Sequence, residues 1–90
     1  MSVPNELVEP WHEPVYVQVE ARGPQIIHNP AEALEFLAND WVGSRRKHSF
    51  AREICSAAVR NQISSDTARE AFLQAVLDAK INTRAPDSQQ

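Results

Sequence analysis

The apolar residues of this chain change their spacing at one point, and that change limits the folds open to it. Val15, Val17 and Val19 alternate with more polar residues, which is the period of two typical of a strand with one buried face. From about residue 30 the apolar residues recur with the period of an amphipathic helix. The pattern therefore predicts strands first and helices after them.

A turn separates two short stretches that favour strands. Arg22, Gly23 and Pro24 are typical turn residues, and Gly23 is free to adopt a positive φ. The run from Gln25 to His28 contains two adjacent isoleucines and favours a second strand. We therefore expect a β-hairpin.

The first helix has a clear start signal at Asn29, Pro30 and Glu32. Asn29 can cap the free amides, Pro30 suits the first helical position, and Glu32 can complete a capping box. Phe36 falls outside the apolar stripe and is predicted to be exposed, and Gly43 is predicted to end the helix. The residues on the stripe are Leu34, Leu37, Ala38 and Trp41.

The second helix is predicted to begin after Ser44 and to run to about Asn61. The residues that its periodicity turns inward are Phe50, Ala51, Ile54, Ala57 and Ala58.

The third helix is predicted to begin at a cap formed by Ser64 or Ser65 and to run to about Lys80. Leu73 and Leu77 point almost opposite to its face of small residues, so they are either sandwiched inside the domain or offered to a partner. The residues on the small face are Ala68, Ala71, Phe72, Ala75 and Ala79.

These elements predict an α+β fold in which an N-terminal β-hairpin packs on three helices, in the order ββααα. Residues 1–12 are predicted to form a loosely held arm, 13–81 a single compact domain and 82–90 a disordered tail. Trp11 is the one predicted anchor of the arm.

The spacing of the packing residues resembles a bacterial family of small proteins known as domain of unknown function family 982. The resemblance covers most of the chain and implies no activity, cofactor or catalytic residue. Lys80 departs from it, because the resemblance implies a glycine that ends the third helix. The residues that carry it are Pro14, Val15, Val17, Ala31, Glu32, Ala33, Leu34, Leu37, Trp41, Ala51, Cys55, Ala68, Arg69, Ala71, Phe72, Ala75, Ala79 and Ile81.

Ninety residues can bury only a modest core, and such chains are usually stabilised by disulfides, a metal or self-association. One cysteine cannot form an internal disulfide. The three histidines and Cys55 match no spacing of zinc ligands. We therefore expect no metal and no cofactor, and we expect a homodimer.

The net charge of -3 argues against a general nucleic-acid binder, although the charge is uneven along the chain. Residues 1–43 sum to about -6 and the remainder to about +3. No apolar stretch approaches the roughly 20 residues that span a bilayer, and the acidic start does not resemble a secretory signal. A cytoplasmic location without a membrane span is expected.

No group of residues suggests catalysis. His48 precedes Cys55 by seven residues, which is about 10 Å along a helix and too far for a cysteine and its base to touch. Carboxylate pairs such as Glu32 and Glu35 require a cleft that this small chain offers little room for. We therefore expect no catalytic residues and no enzymatic activity.

Basic residues concentrate along the second helix, where they predict an anion or partner site. On a helical wheel, Arg45, Ser49, Arg52, Ser56 and Arg60 form an arginine ridge. The ridge could hold a phosphate, an acidic peptide or a nucleic-acid backbone. The alternative is a solvated face that pairs with acidic residues. The candidate binding residues are Arg45, Arg46, Lys47, Arg52 and Arg60.

Phe36, Leu73 and Leu77 are the candidate residues of a protein interface, although Phe36 could instead be covered by Trp11 or the arm. The leading hypothesis is a non-enzymatic interaction or regulatory module that acts as a homodimer or docks a protein partner through the third helix or the sheet edge. The alternative is a protein that binds nucleic acid or phosphate through the arginine ridge.

Overall fold

The computed structural model of this chain describes residues 10–19 and 23–83. Its elements are β1 (Val15–Val19), β2 (Gly23–Ile27), α1 (Pro30–Asn39), α2 (His48–Val59) and α3 (Ser65–Asp78). The predicted α+β class and the ββααα order are confirmed. Most of the predicted arm and tail lies outside the described residues, so the domain boundaries stay a prediction.

The two strands form an antiparallel hairpin whose register runs from the pair Val15 and Ile27 to the pair Val19 and Gly23. Val15, Val17 and Val19 are all buried, so the predicted alternation places one face of β1 in the core. Gly23 adopts the predicted positive φ, at 78°. The predicted turn residue Arg22 lies outside the described residues.

The outer edge of β1 is paired with the segment that follows α3. The amide of Gln18 donates to the carbonyl of Asn82 at 2.8 Å. The backbone amide and carbonyl of Gln18 therefore point away from β2. Gln18 and its cross-strand partner Pro24 form a non-hydrogen-bonded pair, so the backbone groups of Pro24 point away from β1. The outward-facing positions of β2 are therefore Pro24 and Ile26.

The outer edge of β2 offers few hydrogen-bond donors to an added strand. Pro24 has no amide hydrogen. The amide of His28, immediately after the strand, donates to Oε1 of Glu32 at 2.8 Å. Only the amide of Ile26 faces outward between these two positions, so strand addition at this edge is poorly supported.

The predicted start signals of α1 and α3 are confirmed. Oδ1 of Asn29 accepts from the amide of Glu32 at 2.8 Å, and Oγ of Ser64 accepts from the amide of Thr67 at 3.0 Å. Helix α2 begins at His48 with no side-chain cap, later than the sequence predicts.

Helices α2 and α3 end in the same backbone geometry. Asn61 and Lys80 each adopt a left-handed φ, of 62° and 63°. After α3, the amide of Lys80 donates to Leu77 and that of Ile81 donates to Val76. This pair of hydrogen bonds defines a Schellman motif, whose left-handed residue is most often glycine. Lys80 therefore occupies the position for which the family resemblance implies a glycine.

Four aromatic side chains form the centre of the core. The ring of Phe36 packs edge to face against those of Trp41 and Phe72. The ring centres of Trp11 and Phe72 lie 5.8 Å apart. The prediction that Phe36 is exposed is wrong, because its side chain is 1% exposed. Helix α1 ends at Asn39, so Trp41 is not on the helix. Of the helical residues predicted to form the apolar stripe, Leu37 is buried, Leu34 is partly buried and Ala38 is exposed. The buried residues of α1 are Pro30, Ala33, Phe36 and Leu37.

Helix α2 is rotated relative to its predicted orientation. Its buried residues are His48, Ala51, Cys55 and Ala58. The prediction that Phe50 points inward is wrong, because its side chain is 59% exposed. The sequence pattern grouped His48 with the cations, but His48 is buried. Because Phe50 is two positions further along the helix, it then points towards solvent. None of the helices in the described part of the chain is long and apolar enough to cross a bilayer.

Candidate functional site

An open groove runs between α2 and α3 on the surface of the molecule. A short connection makes the two helices antiparallel, and the ion pair between Arg46 and Asp78, at 3.9 Å, marks where the start of α2 meets the end of α3. The groove has a volume of about 460 Å³. Its lining includes Lys47, Phe50, Ile54, Glu70, Ala71 and Gln74.

The middle of the groove is apolar. Phe50 stands exposed on the α2 side, and half-buried Ile54 lies one helical turn further along the same side. Buried Ala71 on α3 forms part of the floor, and its small side chain leaves room beside the phenylalanine ring. An exposed aromatic side chain next to an apolar recess is typical of a docking surface.

The two ends of the groove carry opposite charges. Arg46 and Lys47 lie at the end nearest the start of α2, where Arg46 is paired with Asp78 and Lys47 supplies the net positive charge. Glu70 lies about two turns of α3 before Asp78, and therefore towards the other end. Both Lys47 and Glu70 are exposed, and Lys47 forms no ion pair with any residue that the structure describes. The groove is therefore electrically polar along its length.

The predicted basic residues do not form one continuous ridge. Arg45, Arg46 and Lys47 precede α2, whereas Arg52 lies within it and Arg60 caps its end. The guanidinium of Arg60 donates to Oγ of Ser56 at 2.6 Å and to Gln62 at 3.3 Å. Its hydrogen bonds are therefore partly committed within the chain, while all five basic side chains are exposed.

The predicted interface residues have three different environments. Leu77 is 50% exposed on α3, three positions after the lining residue Gln74. Leu73 is partly buried and packs against the core. Phe36 is part of the core itself, so it cannot be presented to a partner and drops out of the predicted interface.

Cys55 is enclosed by the packing of α2 against α3. Its thiol is fully buried, and Sγ lies 3.9 Å from the carbonyl oxygen of Ala68. Burial without a compensating positive charge raises the pKa of this thiol from 9.0 to about 12. The thiol is therefore neutral at physiological pH and inaccessible to a substrate.

A second hollow lies between β2 and α1 and has a volume of about 580 Å³. It is lined by carboxylates, including those of Glu32 and Glu35. The carboxylate of Glu32 accepts from both the amide and Nδ1 of His28, at 2.8 and 3.1 Å. Glu32 is therefore engaged in holding the strand end to the helix. Among the described residues, no group of three or more His, Cys, Asp or Glu side chains is placed to hold a metal ion.

The sequence pattern identified the basic residues at the start of α2 but did not place Phe50 and Glu70 beside them in the groove. The misleading signal was Ser44, a favourable capping residue whose Oγ accepts from the amide of Arg46 two residues before the helix begins. Because α2 begins at His48, Arg46 and Lys47 precede the helix, and they line the groove together with Phe50. Glu70 becomes relevant only when α3 is packed against α2, which no local pattern specifies.

Comparisons with known proteins support the fold and the family. A solution NMR structure of the Agrobacterium tumefaciens protein Atu1219 is similar to this chain, with a TM-score of 0.71 and 26% sequence identity. The match covers 100% of this chain and 95% of that protein. No curated protein matches the sequence significantly. The family model described as "Protein of unknown function (DUF982)" matches residues 13–83. The match spans most of the sequence and confirms the resemblance, so the chain belongs to the DUF982 family.

Proposed function

We propose that this chain is a non-enzymatic protein-interaction module of the cytoplasm, and that the groove between α2 and α3 is its docking surface. The observation that carries the proposal is the 59% exposure of Phe50 beside an apolar recess. Exposed aromatic side chains supply much of the binding energy at the centres of interfaces. The functional residues would be Phe50 and Ile54, with Lys47 and Glu70 setting orientation.

The sheet edge supports docking less well than the groove does. The edge of β2 lacks the row of donors that strand addition requires, because Pro24 has no amide hydrogen and His28 is already bonded to Glu32. Leu77 is a second exposed apolar residue on α3, three positions after the lining residue Gln74. The cysteine is neutral and enclosed, so the site offers contact surface rather than a nucleophile.

A photo-crosslinking amino acid at position 50, introduced in living cells, tests this proposal. The matched control places the same amino acid at Ile26, which is 44% exposed on β2. We expect discrete crosslinked protein adducts from position 50, weak or absent adducts from position 26, and a lower yield from position 50 when Lys47 is changed to glutamate. Equal yields from both positions, or no adduct from position 50, would contradict the proposal.

A second candidate function is binding of a nucleic-acid backbone by Arg45, Lys47 and Arg52. The observation that favours it is that these three exposed cations have no ion-pair partner within the described residues, and that Arg45 and Lys47 precede a helix start without a side-chain cap. Binding of a fluorescent oligonucleotide should then weaken steeply with salt and fall when Arg45 and Arg52 are changed to alanine. Binding that is absent at low salt would eliminate this candidate.

A further inference from the structure

We infer that the occupant of the groove is a second copy of this chain, which packs its own α2 and α3 across the first pair in a two-fold symmetric dimer. This inference rests on the proposed function, since it names the partner of the same docking surface. Three features of the groove support it: the order of its charges, the position of Phe50 and the limited core of the chain.

The order of charges makes the groove complementary to itself. Lys47 lies at one end of the groove, and Glu70, on α3, lies towards the other end. Phe50 projects from α2 between these two ends. A two-fold axis through the middle of the groove reverses the direction of the second copy. Lys47 of each copy then faces Glu70 of the other, so both charge pairs are favourable. An acidic or basic partner would be attracted to one end and repelled from the other.

The position of Phe50 provides the apolar centre of the contact. Near the axis, the two phenylalanine rings meet each other and cover the recess formed by Ile54 and Ala71. Such self-complementary surfaces, in which each copy supplies both a projecting side chain and the recess that receives it, are a property of two-fold interfaces. The result is two stacked layers of two helices each, with the small Ala71 side chains allowing close approach.

The size of the surface sets the expected affinity. Helices of 12 and 14 residues side by side present a face of roughly 20 by 20 Å. The two copies together bury about 800 Å² over both faces, which is below the standard size of specific interfaces, so we expect weak, reversible association with a dissociation constant of about 0.1 mM. The same burial supplements a core that is limited by the length of the chain.

The first experiment measures the mass of the full chain by sedimentation equilibrium between about 1 µM and 1 mM, the range in which such an interface dissociates. We expect a concentration-dependent rise to the mass of two chains. The substitution Phe50→Ala should raise the dimer dissociation constant by about thirtyfold or more. The control Ile26→Ala should leave it unchanged, and circular dichroism should show that both variants remain folded because both side chains are exposed.

A pair of charge reversals tests the two-fold arrangement itself. Lys47→Glu alone and Glu70→Lys alone each place two like charges opposite each other, so each variant should be monomeric where the wild-type chain is dimeric. An equimolar mixture of the two variants restores both attractive pairs, and we expect dimers to reappear. A mixture that stays monomeric, or single reversals that still form dimers, would overturn the two-fold arrangement.

The outcomes also separate this inference from the proposed function. A wild-type chain that remains monomeric at 1 mM overturns the second copy as the occupant. If crosslinking at position 50 then still yields adducts with a different protein, the docking groove stands and its partner is another chain. If both experiments fail, the groove is not an interaction site.

Discussion

The ring of His48 donates a hydrogen bond of 2.7 Å from Nε2 to the backbone carbonyl oxygen of Leu37. A carbonyl oxygen can only accept, so Nε2 carries the proton. Leu37 is in the last turn of α1, whose final carbonyl groups have no partner within the helix. The first residue of α2 therefore caps the end of α1, and this bond explains how a histidine can be buried there.

Removing that bond should destabilise the fold. His48→Phe keeps an aromatic ring against Trp41, which lies 5.3 Å away, but leaves the carbonyl of Leu37 buried and unpaired. We expect a loss of about 1–3 kcal/mol in the free energy of unfolding, measured by urea denaturation. The control His12→Phe changes an exposed ring and should have little effect. Equal stability of the two variants would show that the His48 bond contributes nothing.

Gly43 should be intolerant of any side chain. Its φ is 87°, and a Cβ atom there would lie 2.7 Å from the carbonyl oxygen of Ala79. Gly23 is the matched control, because its φ is 78° and a Cβ atom there would meet nothing within 4 Å. We expect Gly23→Ala to cost about 1–2 kcal/mol for the left-handed backbone alone. Gly43→Ala should lower the stability measured by thermal unfolding more than Gly23→Ala does. Similar losses of stability in the two variants would contradict the close approach of Ala79 to Gly43.

Replacing Lys80 by glycine should stabilise the folded chain. It holds a left-handed backbone at the end of α3, a conformation that costs a residue with a side chain about 1–2 kcal/mol. Lys80→Gly relieves this cost and adds backbone freedom to the unfolded chain, so we expect a net gain of about 0.5–1 kcal/mol. Asn61→Gly, at the equivalent position after α2, should gain less because asparagine tolerates this conformation. Calorimetry of both variants would reveal the order, and a larger gain at Asn61 would refute the argument.

Alkaline pH should destabilise the chain through Cys55. The pKa of the thiol is raised by burial to about 12, against 9.0 for an ordinary thiol. Below pH 9 the thiol is neutral in both the folded and unfolded states, so its contribution is fully present. Above pH 9 the unfolded state loses the proton first, and stability falls by about 1.4 kcal/mol for each pH unit until the folded pKa is reached.

Two measurements check this dependence. The slope of unfolding free energy against pH between 9 and 11 should be shallower in Cys55→Ala than in the native sequence, because the remaining ionisable groups are common to both. The thiol should also resist alkylation at pH 8 in the folded chain and react after denaturation. Rapid alkylation without denaturant would contradict the burial of Cys55.

The element order was predictable because it depends on local signals. The alternation of Val15, Val17 and Val19 and the cap at Asn29 operate within a few residues. The orientation of the helices was less predictable, since the wheel of α1 put Leu34 and Ala38 on the apolar face, whereas the structure buries Ala33 and Phe36.

The candidate site was harder to predict because it depends on a polar residue in the core. His48 can be buried only because Leu37 offers an unpaired carbonyl from another helix. That pairing rotates α2 and exposes Phe50, which sequence periodicity alone places inside. The groove therefore follows from a contact between helices that no single stretch of sequence encodes.

The proline and the carboxylate at the rim of β2 have a consequence for how this chain behaves when crowded. A short hairpin with an open edge is a template on which fibrils grow, since each added strand creates the next edge. Here Pro24 has no amide hydrogen to donate to an added strand, and the amide of His28 already donates to Glu32. Both features oppose the addition of a strand at this edge. The two-fold contact that we propose between helical faces would close on itself instead of extending without limit.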